Sequence, residues 1–297
     1  MISAVTDYTI YAIGAPIILC LIISEIIISS KRGLQYYNYK DSLGSIGLIT
    51  GNVMVNIMSK GMIIAFYLYL YQFRLFDFSV FGSIWIEILL TLLAIDFIYY
   101  WFHRTSHHVR FFWAIHMNHH SSEEMNFLVA LRQAWFNPFF RVPFFFVLPL
   151  IGFNPLLTLI VGAASTLWAV IQHTKMIGKL GPLEWIFVTP SAHRVHHGVN
   201  DEYMNKNFGN LFIIWDRMFG TYQSEEESVI YGLKRNVKTS NPLKITLFTW
   251  REIFKDFANS IDGKDKIKSI FGSPDWEPRE LKAVSYTHLT LPTNREV

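Results

Sequence analysis

The chain has 297 residues, of which 51% are hydrophobic and 16% charged, with a mean hydropathy of +0.26 and a formal net charge of +3. That is too apolar for an ordinary water-soluble domain of this length, so membrane-spanning segments are the first expectation. The basic residues are scattered rather than gathered on one stripe, which excludes nucleic acid as a partner, and the single Cys20 excludes a disulfide framework and a thiolate metal site.

The segment Tyr8–Ser24 carries no charge, and its apolar character continues past Glu25 to Ser30, which predicts a spanning helix. No basic stretch precedes it and no small-residue cleavage site follows, so a retained helix is expected rather than a cleaved signal peptide. A second apolar stretch, Leu43–Tyr71, is interrupted only by Lys60, and a third, Phe78–Phe102, contains Glu87 and Asp96. No charge occurs between Arg141 and Lys175, and Gly152-Phe153-Asn154-Pro155 inside that run is a strong turn signal. A helical hairpin is predicted there, with arms near Ala134–Ile151 and Pro155–His173. From Lys175 to Lys282 the composition is mixed and polar. The last stretch, Ala283–Val297, resembles a translated cloning adaptor and is set aside with His288 as non-native.

The fold class expected is therefore all-α: an integral-membrane helical bundle of about four spans, the last two a hairpin, carrying a cytoplasmic histidine-rich di-metal domain. Residues 1–102 would form the N-terminal transmembrane helices, and 103–282 the catalytic region, with the hairpin at 134–173 inside it. The side follows from charge bias. Residues 1–30 contain no Lys or Arg, whereas Lys31, Arg32 and Lys40 follow the first span closely, so the N-terminus is expected outside the cytoplasm. Counting spans from there brings His103, His173 and His197 to the cytoplasmic face of a bacterial inner membrane or the endoplasmic reticulum. A re-entrant bend at Lys60 would reverse that count.

Ten of the eleven histidines lie between positions 103 and 197. They fall into His103-Arg-Thr-Ser-His107-His108, His116-Met-Asn-His119-His120 and His193-Arg-Val-His196-His197, with His173 alone at the end of the hairpin. On a helix the i, i+3 and i+4 positions share a face, so each His-x-x-His-His is expected to aim three rings at one point, and His103 and His107 do the same at i, i+4. Imidazole suits iron, copper, zinc and nickel, and this many donors exceed what one ion takes, so two metals are implied. Asp96, seven residues before His103 and nearly on its helix face, is a candidate to accept a hydrogen bond from a metal-bound ring, as is Glu123 after the second cluster. The alternatives are an interfacial charge for Asp96 and a solvated loop carboxylate for Glu123. Tyr100, one turn before His103, is the aromatic residue most open to a substrate role.

At these clusters the chain resembles the fatty acid hydroxylase and sterol desaturase superfamily, and within it the alkylglycerol monooxygenase branch. The resemblance is carried by Tyr100-Trp-Phe-His-Arg104, Asn118-His-His-Ser-Ser-Glu123, Ala130-Leu-Arg-Gln133, Gly181-Pro-Leu-Glu184, Thr189-Pro-Ser191, His193-Arg-Val-His-His-Gly198, and Trp215-Asp216 leading to Phe219-Gly-Thr221. It implies two iron ions and an O2-dependent monooxygenase acting on a lipid drawn from the bilayer, such as the alkyl chain of an ether lipid. A fatty acid, sterol or carotenoid hydroxylase or desaturase is the alternative. The electron donor is open, and the branch points to tetrahydrobiopterin or another reduced pterin. Carried over position by position, the metal set is His103, His107, His116, His119, His120, His173, His193, His196 and His197. Two departures stand out: Ile177 occupies a place where some relatives add a histidine, and Asn205-Lys-Asn-Phe-Gly209 replaces a common Asp-Lys-Asn-Tyr-Gly.

Oxidation of unactivated C–H bonds exceeds what side chains supply, so that work falls to the metals, and zinc, which has no redox chemistry, is excluded as the working ion. Arg104, Arg132 and Arg194 are candidates to meet a lipid head group, or else interfacial anchors. Two non-enzyme readings compete. A metal transporter predicts ligands at mid-membrane rather than at span ends, and a haem carrier needs only two histidines per haem.

Overall fold

The computed structural model describes residues 7–278, so the set-aside stretch 283–297 and His288 lie outside the described residues. These fold into helices α1 (Asp7–Lys31), α2 (Tyr39–Tyr71), α3 (Ile84–His108), α4 (Arg110–His120), α5 (Asn137–Phe145), α6 (Val147–Ile151), α7 (Pro155–Ile171), α8 (Pro190–His196), α9 (Ile214–Met218), α10 (Pro242–Thr246), α11 (Phe248–Asn259) and α12 (Gly263–Phe271). There is no strand among the described residues, only two isolated bridges, Phe187 with Phe212 and Gly198 with Tyr231. The fold is the all-helical bundle expected.

Three helices, from Ala12 to Lys31, Tyr39–Tyr71 and Ile84–His108, are long and apolar enough to cross a membrane. Their apolar side chains point outward: Ile57 is 74% exposed and Met58 82%, a distribution that only a lipid solvent makes favourable over such lengths. The α2 helix runs unbroken through Lys60 for 33 residues, so no re-entrant bend interrupts it. Its start is fixed by Asn38, whose side chain accepts from Lys40 N at 2.9 Å and Asp41 N at 3.2 Å.

The third helix begins later than expected, at Ile84 rather than Phe78. Asp77 caps a short 3-10 turn over Phe78–Phe81, and Gly82 at φ 62° breaks the chain direction before α3 starts. It also continues past Phe102 to His108, so the same long apolar helix carries His103 and His107 at its C-terminal end. Val109, extended at φ −115° and ψ 117°, separates α3 from α4.

The hairpin is present, and its first arm is broken into α5 and α6 at Phe146. Gly152 makes the turn at φ 131°, where a Cβ would sit 2.2 Å from the Phe76 carbonyl oxygen, so only glycine fits. Asn154 then caps α7 through Leu156 N and Leu157 N. The α7 helix, at 17 residues, is roughly 26 Å long, short of a hydrocarbon core of about 30 Å. Ile95 of α3 packs with Leu148, Phe153, Leu157 and Val161 of the hairpin, which fastens α7, and His173 just beyond it, to the histidine-bearing end of α3.

Candidate metal centre

Four helical segments deliver the histidines. His103 and His107 come from the end of α3, His116, His119 and His120 from α4, His173 from the turn after α7, and His193, His196 and His197 from α8 and its C-cap. They assemble into two groups. His103, His107, His116, His120 and His196 form one, and His119, His173, His193 and His197 the other, with the ligating atoms of each group within 4.8 Å of one another.

The motifs therefore divide, contrary to the expectation that each His-x-x-His-His aims all three rings at one point. His116 and His120 go to the first group and His119 to the second; His193 and His197 go to the second and His196 to the first. Pairs at i, i+4 stay together, whereas adjacent residues, about 100° apart around the helix, part company. Each helix thus lies between the two groups and serves both. The rings of His120 and His197 stack at 4.4 Å where the groups meet.

The contact distances have the scale of metal coordination. In the second group the Nε2 atoms close a ring of four edges: His173 to His119 at 3.1 Å, His119 to His197 at 3.1 Å, His197 to His193 at 3.1 Å and His193 to His173 at 2.9 Å. In the first, His103 to His116 is 2.8 Å, His116 to His120 3.0 Å and His120 to His196 3.1 Å. An imidazole–metal bond of about 2.0–2.1 Å puts neighbouring donors roughly 3 Å apart around one ion. The buried Nε2 of His107 has no protein partner, and its ring faces those of His116, His120 and His196 at 4.8–4.9 Å.

Backbone carbonyls set the tautomers. His103 Nδ1 donates to Phe208 O at 2.8 Å, His173 Nδ1 to Ala169 O at 2.8 Å and His196 Nδ1 to Lys206 O at 2.9 Å. A carbonyl only accepts, so those Nδ1 atoms carry the protons and the Nε2 lone pairs turn inward. Converging lone pairs repel one another unless a cation sits among them, which is the chemistry a metal site requires. Burial, reinforced by the neighbouring rings, holds His116, His119, His120, His193 and His197 well below the usual imidazole range, and burial alone holds His196 at about 4. All are neutral at physiological pH, the form that binds a metal. His108 stays outside both groups; it is exposed and its Nδ1 donates to Arg104 O.

Asp96 is fully buried, but it turns to a backbone segment rather than to a histidine. Its carboxylate accepts from Leu211 N at 2.7 Å, Phe212 N at 3.0 Å and Trp215 Nε1 at 2.9 Å. Asp216 holds the same segment from the other side, accepting from Phe208 N, Gly209 N and the Thr221 hydroxyl. Together they place the Phe208 carbonyl that orients His103. Glu123 is exposed at the surface, and its neighbour Glu124 pairs with Lys175 at 3.5 Å. Tyr100 is buried with its hydroxyl on Thr221 and Arg104, away from the histidines.

Two of the three candidate head-group arginines are committed elsewhere. Arg132, 1% exposed, pairs with Asp41 at 3.0 Å and donates to Asn118 O and Ser121. Arg194 makes a two-pronged pair with Glu225 at 2.7 and 2.6 Å and donates to Thr174 O and Ile177 O. Arg132→Ala is accordingly expected to destabilise the fold by about 2 kcal/mol or more, because it leaves the half-buried Asp41 carboxylate and the buried Asn118 carbonyl without their donor. Thermal unfolding in detergent checks this; unchanged stability with a raised KM would return Arg132 to a substrate role.

Glu25 escaped the sequence reading. It is 1% exposed in α1 and accepts from Tyr37 Oη at 2.6 Å, from Phe127 N at 2.9 Å and from the Thr174 hydroxyl beside His173. A lone carboxylate in an apolar run was the available signal, but its partners lie too far along the chain to be named from sequence. A cavity of about 500 Å³ reaches His107, His120, His196 and His197, and runs out between Trp113, the segment Gly232–Arg235 and the segment Ser273–Glu277.

Comparison with known proteins agrees with the geometry. Residues 88–221 match the fatty acid hydroxylase family. The chain is 36% identical to an alkylglycerol monooxygenase of Xenopus tropicalis over 87% of its own length and 57% of that protein's. It is 33% identical to the alkylglycerol monooxygenase of Homo sapiens over 100% of its length and 66% of that protein's. An ornithine lipid hydroxylase of Rhizobium tropici is 29% identical over 46% of the chain. The chain thus spans between 57% and 66% of the length of the two alkylglycerol monooxygenases. No solved structure matches it.

Proposed function

Since the chain belongs to the fatty acid hydroxylase family through residues 88–221, we propose that it is a membrane-bound, O2-dependent di-iron monooxygenase of a lipid, with the alkyl chain of an ether lipid as the favoured substrate. The observation that carries this reading is the convergence of nine histidines into two groups of buried, inward-facing donors. One iron would be held by His103, His107, His116, His120 and His196, and the other by His119, His173, His193 and His197. We take residues 1–102 as the membrane anchor and 103–282 as the catalytic region, with the active site on the cytoplasmic face.

When bound, the irons supply the activation of O2 that side chains cannot. The protein's own contribution is positional. Phe208 O, Ala169 O and Lys206 O fix three rings, Asp96 and Asp216 fix the Phe208 segment, and the cavity leaves His107, His120, His196 and His197 accessible to small molecules. Phe208, where relatives often have tyrosine, packs its ring on His103, His107 and His196 and offers no hydroxyl to them.

Hydroxylation sends one oxygen atom into the product and the other into water, which takes two electrons and two protons from a reductant. The sole cysteine, Cys20, is exposed in α1, so the chain holds no thiolate relay of its own and the electrons come from outside. The cavity beside the histidines falls within the range of small-molecule sites, about 300–1,000 Å³, and the likeness to alkylglycerol monooxygenases is what points to a reduced pterin as the donor. In ether lipids, hydroxylation of the carbon that bears the ether oxygen yields a hemiacetal, which falls apart to an aldehyde and a free alcohol.

Lipid analysis of cells with and without the protein tests the substrate, under oxygen and with or without added tetrahydropterin. Loss of alkyl ether lipids together with appearance of the matching aldehydes, only when the pterin is present, is the expected result. Hydroxylated or desaturated fatty acids or sterols in their place would move the chain to the alternative reading.

A further inference from the structure

The C-terminal helices α11 and α12 carry an apolar face that none of the described residues covers. On α11, Thr249, Ile253 and Asp256 are buried, Asp256 pairing with Arg110 of α4 at 2.6 Å. Phe254, 69% exposed, and Phe257 recur at helical spacing on another side, and Ile261, in the link to α12, is 68% exposed. On α12, Ile267 and Phe271 form an exposed i, i+4 pair flanked by Lys264 and Lys268. Lys266 of α12 lies over the Phe257 ring at 5.4 Å, which joins the two faces.

Two further observations say what meets this face. First, it continues the membrane-side surface: Trp250 of α11 and Phe271 of α12 both contact Phe111, and Trp250 and Phe111 contact Phe140 of the apolar arm α5. Second, its charge is mostly basic. Arg251, Lys255, Lys264, Lys266 and Lys268 are exposed against one exposed carboxylate, Asp262 at the start of α12, whereas Asp256 and Asp265 are buried and Glu252 is paired with Arg235. An apolar face rimmed by lysines beside a membrane arm has the composition of an interfacial helix on anionic lipid.

We propose that α11 and α12 lie on the anionic head groups of the same membrane that α1–α3 span. The inference rests on the membrane reading of those helices. It has a consequence for the site, because Phe248, Glu252 and Lys255 on α11 line the cavity about 100–160° around the helix from Phe254. Seating this pair on the bilayer would hold the cavity mouth at head-group level, where a lipid leaves the membrane.

The test uses the full chain with Cys20→Ser, leaving single cysteines for nitroxide labelling at Phe254→Cys and Ile267→Cys, with Met58→Cys as a lipid control and Glu226→Cys as a water control. Each is placed in nanodiscs of phosphatidylcholine with or without phosphatidylglycerol, and collision with O2 is compared with collision with a water-soluble nickel chelate. Positions 254 and 267 are expected to follow position 58 in the anionic discs and to become more water-exposed in neutral ones. Lys264→Gln, Lys266→Gln and Lys268→Gln should each weaken the association by about fivefold. Water-like behaviour at 254 and 267 in both discs, with position 58 in lipid, would overturn the proposal alone. Lipid contact indifferent to lipid charge and to the lysines would overturn its anionic assignment. Water-like behaviour at position 58 would overturn the membrane reading and this inference with it.

Discussion

His107→Ala is expected to abolish turnover and release iron, while His108→Ala keeps most of both. The two residues are neighbours in sequence and of the same type, so composition and local charge are closely matched in the comparison. His107 follows His103 by one turn of α3, and its buried Nε2 faces His116, His120 and His196 without a protein partner. His108 is rotated about 100° further, exposed, and tied back to Arg104 O at 2.8 Å. Removing a buried imidazole from a five-donor group opens its coordination shell and leaves a hole beside the remaining rings, whereas removing His108 costs one surface hydrogen bond. Iron content and turnover of the two purified variants decide the matter. Iron lost from His108→Ala and kept in His107→Ala would mean that α3 presents its other face to the metal.

Asp96→Ala is expected to destabilise the protein by on the order of 3 kcal/mol or more, because it leaves Leu211 N, Phe212 N and Trp215 Nε1 without their buried acceptor. The effect should reach the metal by a defined route. That segment is continuous with Phe208, whose carbonyl accepts from His103 Nδ1, so loosening it frees the His103 ring to turn. Loss of such outer support lowers metal affinity by about 10–100-fold in comparable sites. The five-histidine group should therefore empty before the four-histidine group. Thermal unfolding combined with stepwise chelation of the iron reads both effects. Unchanged stability with selective loss of activity would instead put Asp96 in the chemistry.

The histidines were legible because a helix writes its faces into spacing: i and i+4 recur in His103 and His107, His116 and His120, His193 and His197, and each of these pairs shares a group. What spacing does not contain is where the helix sits relative to two centres. His119 and His196 were read with their own motifs and went to the opposite groups, since that choice depends on α4 and α8 lying between the groups. The carboxylates were less legible for a related reason. Asp96 is near His103 along α3, but a side chain's partner is set by what packs against it, here a loop more than a hundred residues away. Glu25 was passed over as an interruption of an apolar run, although its buried contacts with Tyr37, Phe127 and Thr174 tie the first membrane helix to the turn that carries His173. Arginines beside sequence motifs suggested substrate contact, and for Arg132 and Arg194 burial beside Asp41 and Glu225 had the stronger claim. The hairpin turn was fully readable, because Gly152 and Asn154 do there what their chemistry dictates.

Two donor groups, five histidines in one and four in the other, are each placed to hold one ion, and on that arrangement the proposal of two irons rests. The most direct measurement is the metal content of protein shown in the same preparation to turn over lipid, together with its optical spectrum. Two irons per chain and no haem band is the expected result; one metal, none, or a haem spectrum in active protein would contradict it.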